Sequence, residues 1–271
     1  MESERVLEAL LFAVILLFAA TCIAQELDDE RGFNYDEASE IGPMHWGEIR
    51  EEWKECTTSK MQSPIDIKNE KVQIVSYLGR LETSYKPANA TLVNRGHDMM
   101  IKWVDGAGHI EINRRLYELK QCHWHIPSEH TINGRRFDME VHLVHQTKDN
   151  RTAVIGIMYK IGRSDSFLSV MKQNLKIMAH TRDVKKTLGI IDPRLIKFGS
   201  CKYYKYMGSL TTPPCTQNVL WTIVKKIRIV TEEQITMIRN AVHDELETNA
   251  RPVQPINDRM VDLYRPKIIK K

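Results

Sequence analysis

The chain has 271 residues, 42% of them hydrophobic and 27% charged, enough to bury a sizeable core and too apolar for a disordered class. Its net charge of +4 is spread along the sequence rather than gathered in a patch, so nucleic-acid binding has little support. There are no internal repeats or low-complexity tracts, and the length suits one large β fold.

At the N-terminus, Leu10 to Ala20 is a short apolar run, and Thr21-Cys22-Ile23-Ala24 ends in the small residues a signal peptidase prefers. The run is too short to span a bilayer comfortably, so residues 1–24 are expected to be a signal peptide that leaves no stable membrane span. The opening Met1-Glu2-Ser3-Glu4-Arg5 is acidic where such leaders are basic, and its removal makes the chain slightly more basic. Residues 25–41, with Glu26-Leu27-Asp28-Asp29-Glu30, read as an acidic, mobile lead-in to a domain over 42–267; residues 268–271 read as a basic, solvated tail.

The domain reads as mainly β. Strand-rich stretches are Met99–Val104, His109–Ile112, Leu116–Ile126, Phe137–Thr147, Val154–Lys160 and Val219–Ile229. Ala153 to Met158 is continuously apolar, as in a strand covered on both faces. Phe167, Val170, Met171, Leu175 and Met178 have helical spacing, and Thr231-Glu232-Glu233-Gln234 is a capping box ahead of Ile235, Ile238, Val242 and Leu246. Two sequons, at Asn89 and Asn150, fit a secreted glycoprotein. Five cysteines become four if residues 1–24 are removed, which leaves three full pairings open. No C-x-x-C spacing occurs, so a cysteine metal site is not expected.

The chemistry is concentrated in His123-Trp124-His125 and, further along, His142. Side chains alternate along a strand, so His123 and His125 share a face and Trp124 takes the other. Glu140, His142 and Val144 share a face in the same way, and pairing the two strands would bring three imidazoles to one ion. Three histidines without a fourth protein ligand make an open Zn²⁺ site with a position left for water. An H-x-H alone more often serves packing. Here Gln121 and Glu140 each precede a histidine by one strand period, where an acceptor for its second N–H belongs. Cys122 faces away from His123 and reads as a small buried hydrophobe, whereas Cys201 has no evident partner. His145 falls on the opposite face from His142, out of reach of the same ion.

Several blocks in order resemble the α-class carbonic anhydrases, most closely the plant secretory-pathway members: Gln62-Ser63-Pro64-Ile65-Asp66-Ile67, Gln121 to His130, Glu140 to His145, Gly208 to Cys215, and Arg251-Pro252-Val253-Gln254-Pro255. The resemblance runs from about Gly42 to Lys267 and implies a large twisted, mostly antiparallel sheet with short peripheral helices and a zinc at the base of a cone. It implies reversible hydration of CO₂ to bicarbonate and a proton, with zinc hydroxide as nucleophile. Zinc brings bound water to a pKa of about 7, a magnitude known from carbonic anhydrases themselves.

Residue by residue, the resemblance makes His123, His125 and His142 the ligands, with Gln121, Glu140 and Asn249 bonded behind them. Thr211 would orient the hydroxide while donating to Glu129, which as an ionised carboxylate can only accept. Thr212 would line the substrate site, and Val144, Val154, Leu210, Val219 and Trp221 would form the apolar wall for CO₂. His97 would be the proton shuttle, a role suited to an imidazole of ordinary pKa near 6.5. Cys56 and Cys215 would form the disulfide, and His130 and His145 would be structural. Glu48, Arg95, Met100 and Lys120 depart from the best-known members at expected cavity-rim positions, where a cation at Arg95 would lower the His97 pKa. The expected destination is the apoplast, or a plastid reached by secretion. The alternative is a weak or silent relative with a binding or storage role, though silent members typically lack a zinc histidine.

Overall fold

A computed structural model describes Glu26 and residues 29–104, 106–181 and 184–266; the expected signal peptide and basic tail lie outside these residues. The first strands are β1 (Asp66–Ile67), β2 (Gln73–Val75), β3 (Glu82–Thr83), β4 (Ala88–Asn94) and β5 (Met99–Trp103). There follow β6 (His109–Ile112), β7 (Arg115–His125), β8 (Thr131–Ile132), β9 (Met139–Gln146) and β10 (Thr152–Ile161). The rest are β11 (Lys185–Ile191), β12 (Tyr203–Ser209), β13 (Gln217–Val224), β14 (Arg228–Val230) and β15 (Asp262–Tyr264). One sheet runs β11-β4-β5-β7-β9-β10-β13-β12-β15-β2. Most neighbours are antiparallel, but β10 pairs parallel with β13 and β14, and β15 with β2. This is the expected mainly β architecture.

Alternation along the central strands sorts the sequence into two faces. On β10, Ala153, Ile155, Ile157 and Tyr159 join the larger apolar core, while Val154 and Met158 join the other. On β9, Met139, Val141 and Leu143 go to the larger core, which leaves Glu140, His142 and Val144 on the opposite face. The continuous apolar run over 153–158 is therefore two interleaved surfaces, each buried, as a doubly covered strand requires.

The helix Ser166–Thr181 covers the larger core with Phe167, Leu168, Met171, Leu175 and Met178. Val170, expected on that face, is 52% exposed, because at 100° per residue it lies far from the centre of the stripe the others form. The helix Glu232–Val242 starts at the predicted capping box, with Thr231 and Gln234 bonded reciprocally. It ends at His243, in the left-handed region at φ 60°, so Leu246 lies beyond it.

Residues 29–41 are not the mobile lead-in expected from their acidity. Phe33 and Tyr35 are buried with Trp46 and Trp53 in an aromatic cluster around Cys56 and Cys215, and Glu30 is fully buried. Two aromatic anchors and a buried counter-ion, described below, outweigh the local run of acids. Cys56 and Cys215 are disulfide-bonded across a separation of 159 residues; Cys122 is free and buried, Cys201 free and exposed. Replacing both Cys56 and Cys215 by alanine should cost about 2–5 kcal/mol of stability, read as a lower urea midpoint. An unchanged midpoint would show that the aromatic cluster holds this corner without the bond.

Candidate metal centre

The register of three strands builds the centre. Across β7 and β9, His123 pairs with His142 and His125 with Glu140; across β9 and β10, His142 pairs with Gly156. Lys120 is an extra residue at a bulge between the Leu119–His145 and Gln121–Val144 pairs. The bulge resets the alternation, so Leu119 and Cys122 both face the larger core while Gln121, His123 and His125 face the other way.

All three imidazoles are buried, and the outer nitrogens of His123 and His125 are committed. His123 Nδ1–H donates to Gln121 Oε1 at 2.9 Å, and His125 Nδ1–H donates to the Asn249 carbonyl at 2.7 Å. His142 Nε2 lies 3.0 Å from Glu140 Oε1, an ion-pair contact outside hydrogen-bond geometry, and Nδ1 lies on the side of Glu129 Oε2 and His125. With both Nδ1 atoms donating, the two Nε2 atoms of His123 and His125 are lone pairs, and they face each other at 3.1 Å. Two lone pairs at that distance repel unless a cation stands beside them. Neither ring nitrogen of His142 has a hydrogen-bond partner among the described residues. One ring nitrogen from each of His123, His125 and His142 falls within 4.8 Å of the other two. Zn–N bonds of 2.0–2.1 Å at a tetrahedral angle put two ligands roughly 3.3 Å apart, so the donor set fits Zn²⁺. Burial pulls the pKa of His123 and of His142 down from the ordinary imidazole value, Arg95 adding to this at His123, which favours the neutral ring at both.

Glu140 is the hub behind His142. Its Oε2 accepts the backbone N–H groups of Glu129 and His130 at 3.0 and 2.9 Å, and its Oε1 accepts His130 Nδ1–H at 2.8 Å. Burial opposes its ionisation, but His130 and His142 beside it hold its pKa well below the usual carboxylate range. His130 continues to Tyr206 and Ser63 through bonds of 2.7 and 2.8 Å, a scaffolding role. His145 sits on the other face, bonded to the Tyr85 hydroxyl at 2.6 Å, with burial pulling its pKa down to about 3.

Gly156 makes room for this hub. A Cβ there would lie 2.6 Å from Glu140 Oε1 and 2.7 Å from Ile223 Cδ1. Gly156→Ala should push Glu140 off His142 and weaken metal retention about tenfold, the loss typical of an outer partner, measured by chelator competition. Retention equal to wild type would mean that Glu140 can shift without releasing His142.

Glu129 is fully buried; Oε1 accepts the Arg251 backbone N–H at 2.9 Å, and Oε2 lacks a hydrogen-bond donor among the described residues. That oxygen is 3.5 Å from His125 Nε2 and 3.9 Å from His142 Nδ1. Thr211 and Thr212 are buried, and no hydrogen bond joins Thr211 to Glu129 among the described residues. Val144, Val154, Leu210, Val219 and Trp221 form one cluster. Val154 pairs with Val144 on one side and Trp221 on the other, so three of the five form a row across the sheet. Trp221 also packs on His142, with ring centres 4.8 Å apart.

His97 is held more firmly than a shuttle is expected to be. Nδ1 lies 2.6 Å from Asp244 Oδ2 and Nε2 lies 2.6 Å from the Phe33 carbonyl. Burial lowers its pKa, but these two acceptors more than offset that, and the net shift is upward. Arg95, expected at the rim and expected to lower this pKa, is 1% exposed and bonded to Asp98, so its charge is met locally. Met100 is likewise buried, paired across strands with His123. Lys120 reaches Glu118, and the exposed Glu48 accepts from His45.

Some residues of this network had no reading from sequence. Arg251 is buried, donating to Gln62 Oε1, the Ser63 carbonyl and the Cys56 carbonyl at 2.7, 2.9 and 2.7 Å. Its place in the Arg-Pro-Val-Gln-Pro block was the available signal. Asp244, Asp98 and Glu26 had none, because each acts through a partner distant in sequence or set by a turn. Asn89 and Asn150 are exposed. No helix among the described residues is long and apolar enough to cross a membrane.

A family model described as eukaryotic-type carbonic anhydrase matches residues 41–265. The chain is 54% identical over 256 residues to alpha carbonic anhydrase 7 of Arabidopsis thaliana, covering 94% of this chain and 93% of that one. It is 47% identical over 259 residues to carbonic anhydrase Nec1 of Nesocodon mauritianus, at 94% and 93% coverage. Among solved structures, a dioscorin complexed with ascorbate superimposes with a TM-score of 0.85 and 37% identity, covering 87% of this chain and 99% of that one.

Proposed function

The chain belongs to the eukaryotic-type carbonic anhydrase family, and from that premise we propose that it binds one Zn²⁺ through His123, His125 and His142 and interconverts CO₂ and water with bicarbonate and a proton. The observation that carries the reading is the facing pair of imidazole lone pairs, completed by the unpartnered His142 Nδ1. When bound there, zinc supplies a Lewis acid that makes hydroxide available near neutral pH, a property known from carbonic anhydrases themselves.

The protein's own groups do the rest. Gln121 and the Asn249 carbonyl hold His123 and His125 with their lone pairs inward, and Glu140 stands 3.0 Å behind His142. Glu129 Oε2, without a donor among the described residues, suits the Thr211 hydroxyl, whose lone pair then remains to accept from the attacking oxygen. The wall of Val144, Val154, Leu210, Val219 and Trp221 offers an uncharged linear substrate an apolar bed, and Thr212 supplies a hydroxyl beside it. His97 is the proton relay.

The cysteine bond and exposed sequons support a secretory route, since disulfides persist in oxidising compartments. The apoplast, or a plastid reached by secretion, is the destination we assign. A weak or silent relative with a binding or storage role is the alternative, and the complete imidazole cluster argues against it. Elemental analysis and stopped-flow CO₂ hydration on the purified protein test the proposal. We expect one zinc per chain and catalysis well above the buffer rate. A protein without stoichiometric metal, or a metallated one that fails to hydrate CO₂, would sink it.

A further inference from the structure

The N-terminal segment reaches into the metal centre from behind. Glu30 N–H donates to the Arg95 carbonyl at 2.7 Å, and Arg95 Nη1 returns to the segment, 2.9 Å from Glu26 Oε2 and 3.2 Å from Glu30 Oε1. Asp98 takes the other side of the guanidinium, at Nε and Nη2. Glu26 is thereby fixed against β7, its side chain 6% exposed. The same Oε2 accepts Gln121 Nε2–H at 2.8 Å and lies 3.4 Å from His123 Nδ1.

This contact decides which way the Gln121 amide faces. A carboxylate beside Arg95 can only accept, so the Gln121 NH₂ must point at Glu26 and its carbonyl at His123. A carbonyl can only accept in turn, so His123 must carry its proton on Nδ1, which leaves Nε2 as the lone pair facing His125. Without Glu26, nothing in the Gln121–His123 pair itself prevents the amide from turning over and presenting N–H to the imidazole.

We propose that Glu26 is a positioning residue for the metal centre, fixing the Gln121 amide and through it the His123 tautomer. The inference rests on the reading of His123 as a metal-binding residue. It makes the acidic N-terminal segment part of the site, and cleavage after Ala24 would retain Glu26 while a cut a few residues further on would remove it.

The test compares Glu26→Ala and Glu26→Gln with wild type, as purified full chains. Nitrogen-15 NMR reads the protonation site of each buried histidine in metal-free protein, and competition with a chelator reads zinc release. Glu26→Ala should lose the defined Nδ1–H signal of His123 alone, and zinc should leave about tenfold faster, the low end for partners behind a ligand. Glu26→Gln should restore both, because Arg95 keeps the new amide's oxygen where Oε2 stood. A wild-type His123 signal and release rate in Glu26→Ala would overturn the proposal. So would an equal loss at His123, His125 and His142, which marks general loosening. If wild type itself held no zinc, the metal reading would fail, and the His123 signal of metal-free protein would still decide the part played by Glu26.

Discussion

Replacing His142 with alanine should lower zinc affinity by more than about a hundredfold, beyond the 10–100-fold typical of outer partners, and bring CO₂ hydration down to the buffer rate. Two lone pairs from neighbouring positions on one strand remain, and both approach from the same side. His142 comes from the paired strand and supplies the third direction, and neither of its ring nitrogens has a hydrogen-bond partner among the described residues. Folding should survive, because Glu140 keeps His130 and two backbone N–H groups as donors. Destabilisation of about 1–3 kcal/mol is the expected range for a buried substitution of this size. Elemental analysis after dialysis and stopped-flow hydration read the two effects, and urea unfolding separates them from misfolding. Stoichiometric zinc in the folded variant would show that His142 is not a ligand.

The centre was legible in sequence because a period of two is enough to read it. His123 with His125, and Glu140 with His142, needed only strand alternation, and β7 beside β9 brought them together in the expected phase. Gln121 depended on one more event, the bulge at Lys120, but lying on the near side of it the residue kept its face. Helix Glu232–Val242 was legible from its capping box, which is local chemistry. Short strands such as β2 and β15 were not, because three residues carry no periodic signal and form only when the sheet edge offers partners. The segment before Gly42 misled for a related reason. Local composition made it a solvated acidic run, and it is Arg95, distant in sequence, that turns Glu26 and Glu30 inward, while Phe33 and Tyr35 pack on Trp46 and Trp53. Buried charge pairs made across such distances leave no mark in a short window of sequence.

Replacing His97 with alanine should slow CO₂ hydration in a weakly buffering medium on the order of tenfold, short of the hundredfold or more that a freely placed proton-transfer group supplies. The discount follows from its bonds. Asp244 Oδ2 and the Phe33 carbonyl both accept, so the ring satisfies both only when each nitrogen carries a proton. A ring in that state can give a proton but must shed one before it can take another. Small imidazole buffers should partly restore the alanine variant. Asp244→Asn should act the other way, moving the relay's working range acidward and raising turnover near neutral pH, because the partner that holds the His97 proton is gone. The same pair leaves a mark on stability. His97 is shifted upward, so its contribution is complete below its ordinary value of 6.5 and fades as pH rises through the folded value. Asp244 is shifted downward: burial would raise it, but the His97 hydrogen bond and further contacts more than offset this. Its contribution is therefore present above its ordinary 3.8 and fades on acidification through the folded value. The stability gap between wild type and Asp244→Asn should be widest at about pH 5–6 and narrow on both sides. A gap that does not vary with pH would mean the two side chains do not share a proton-linked bond, and turnover unchanged in His97→Ala across buffers would remove His97 from the relay.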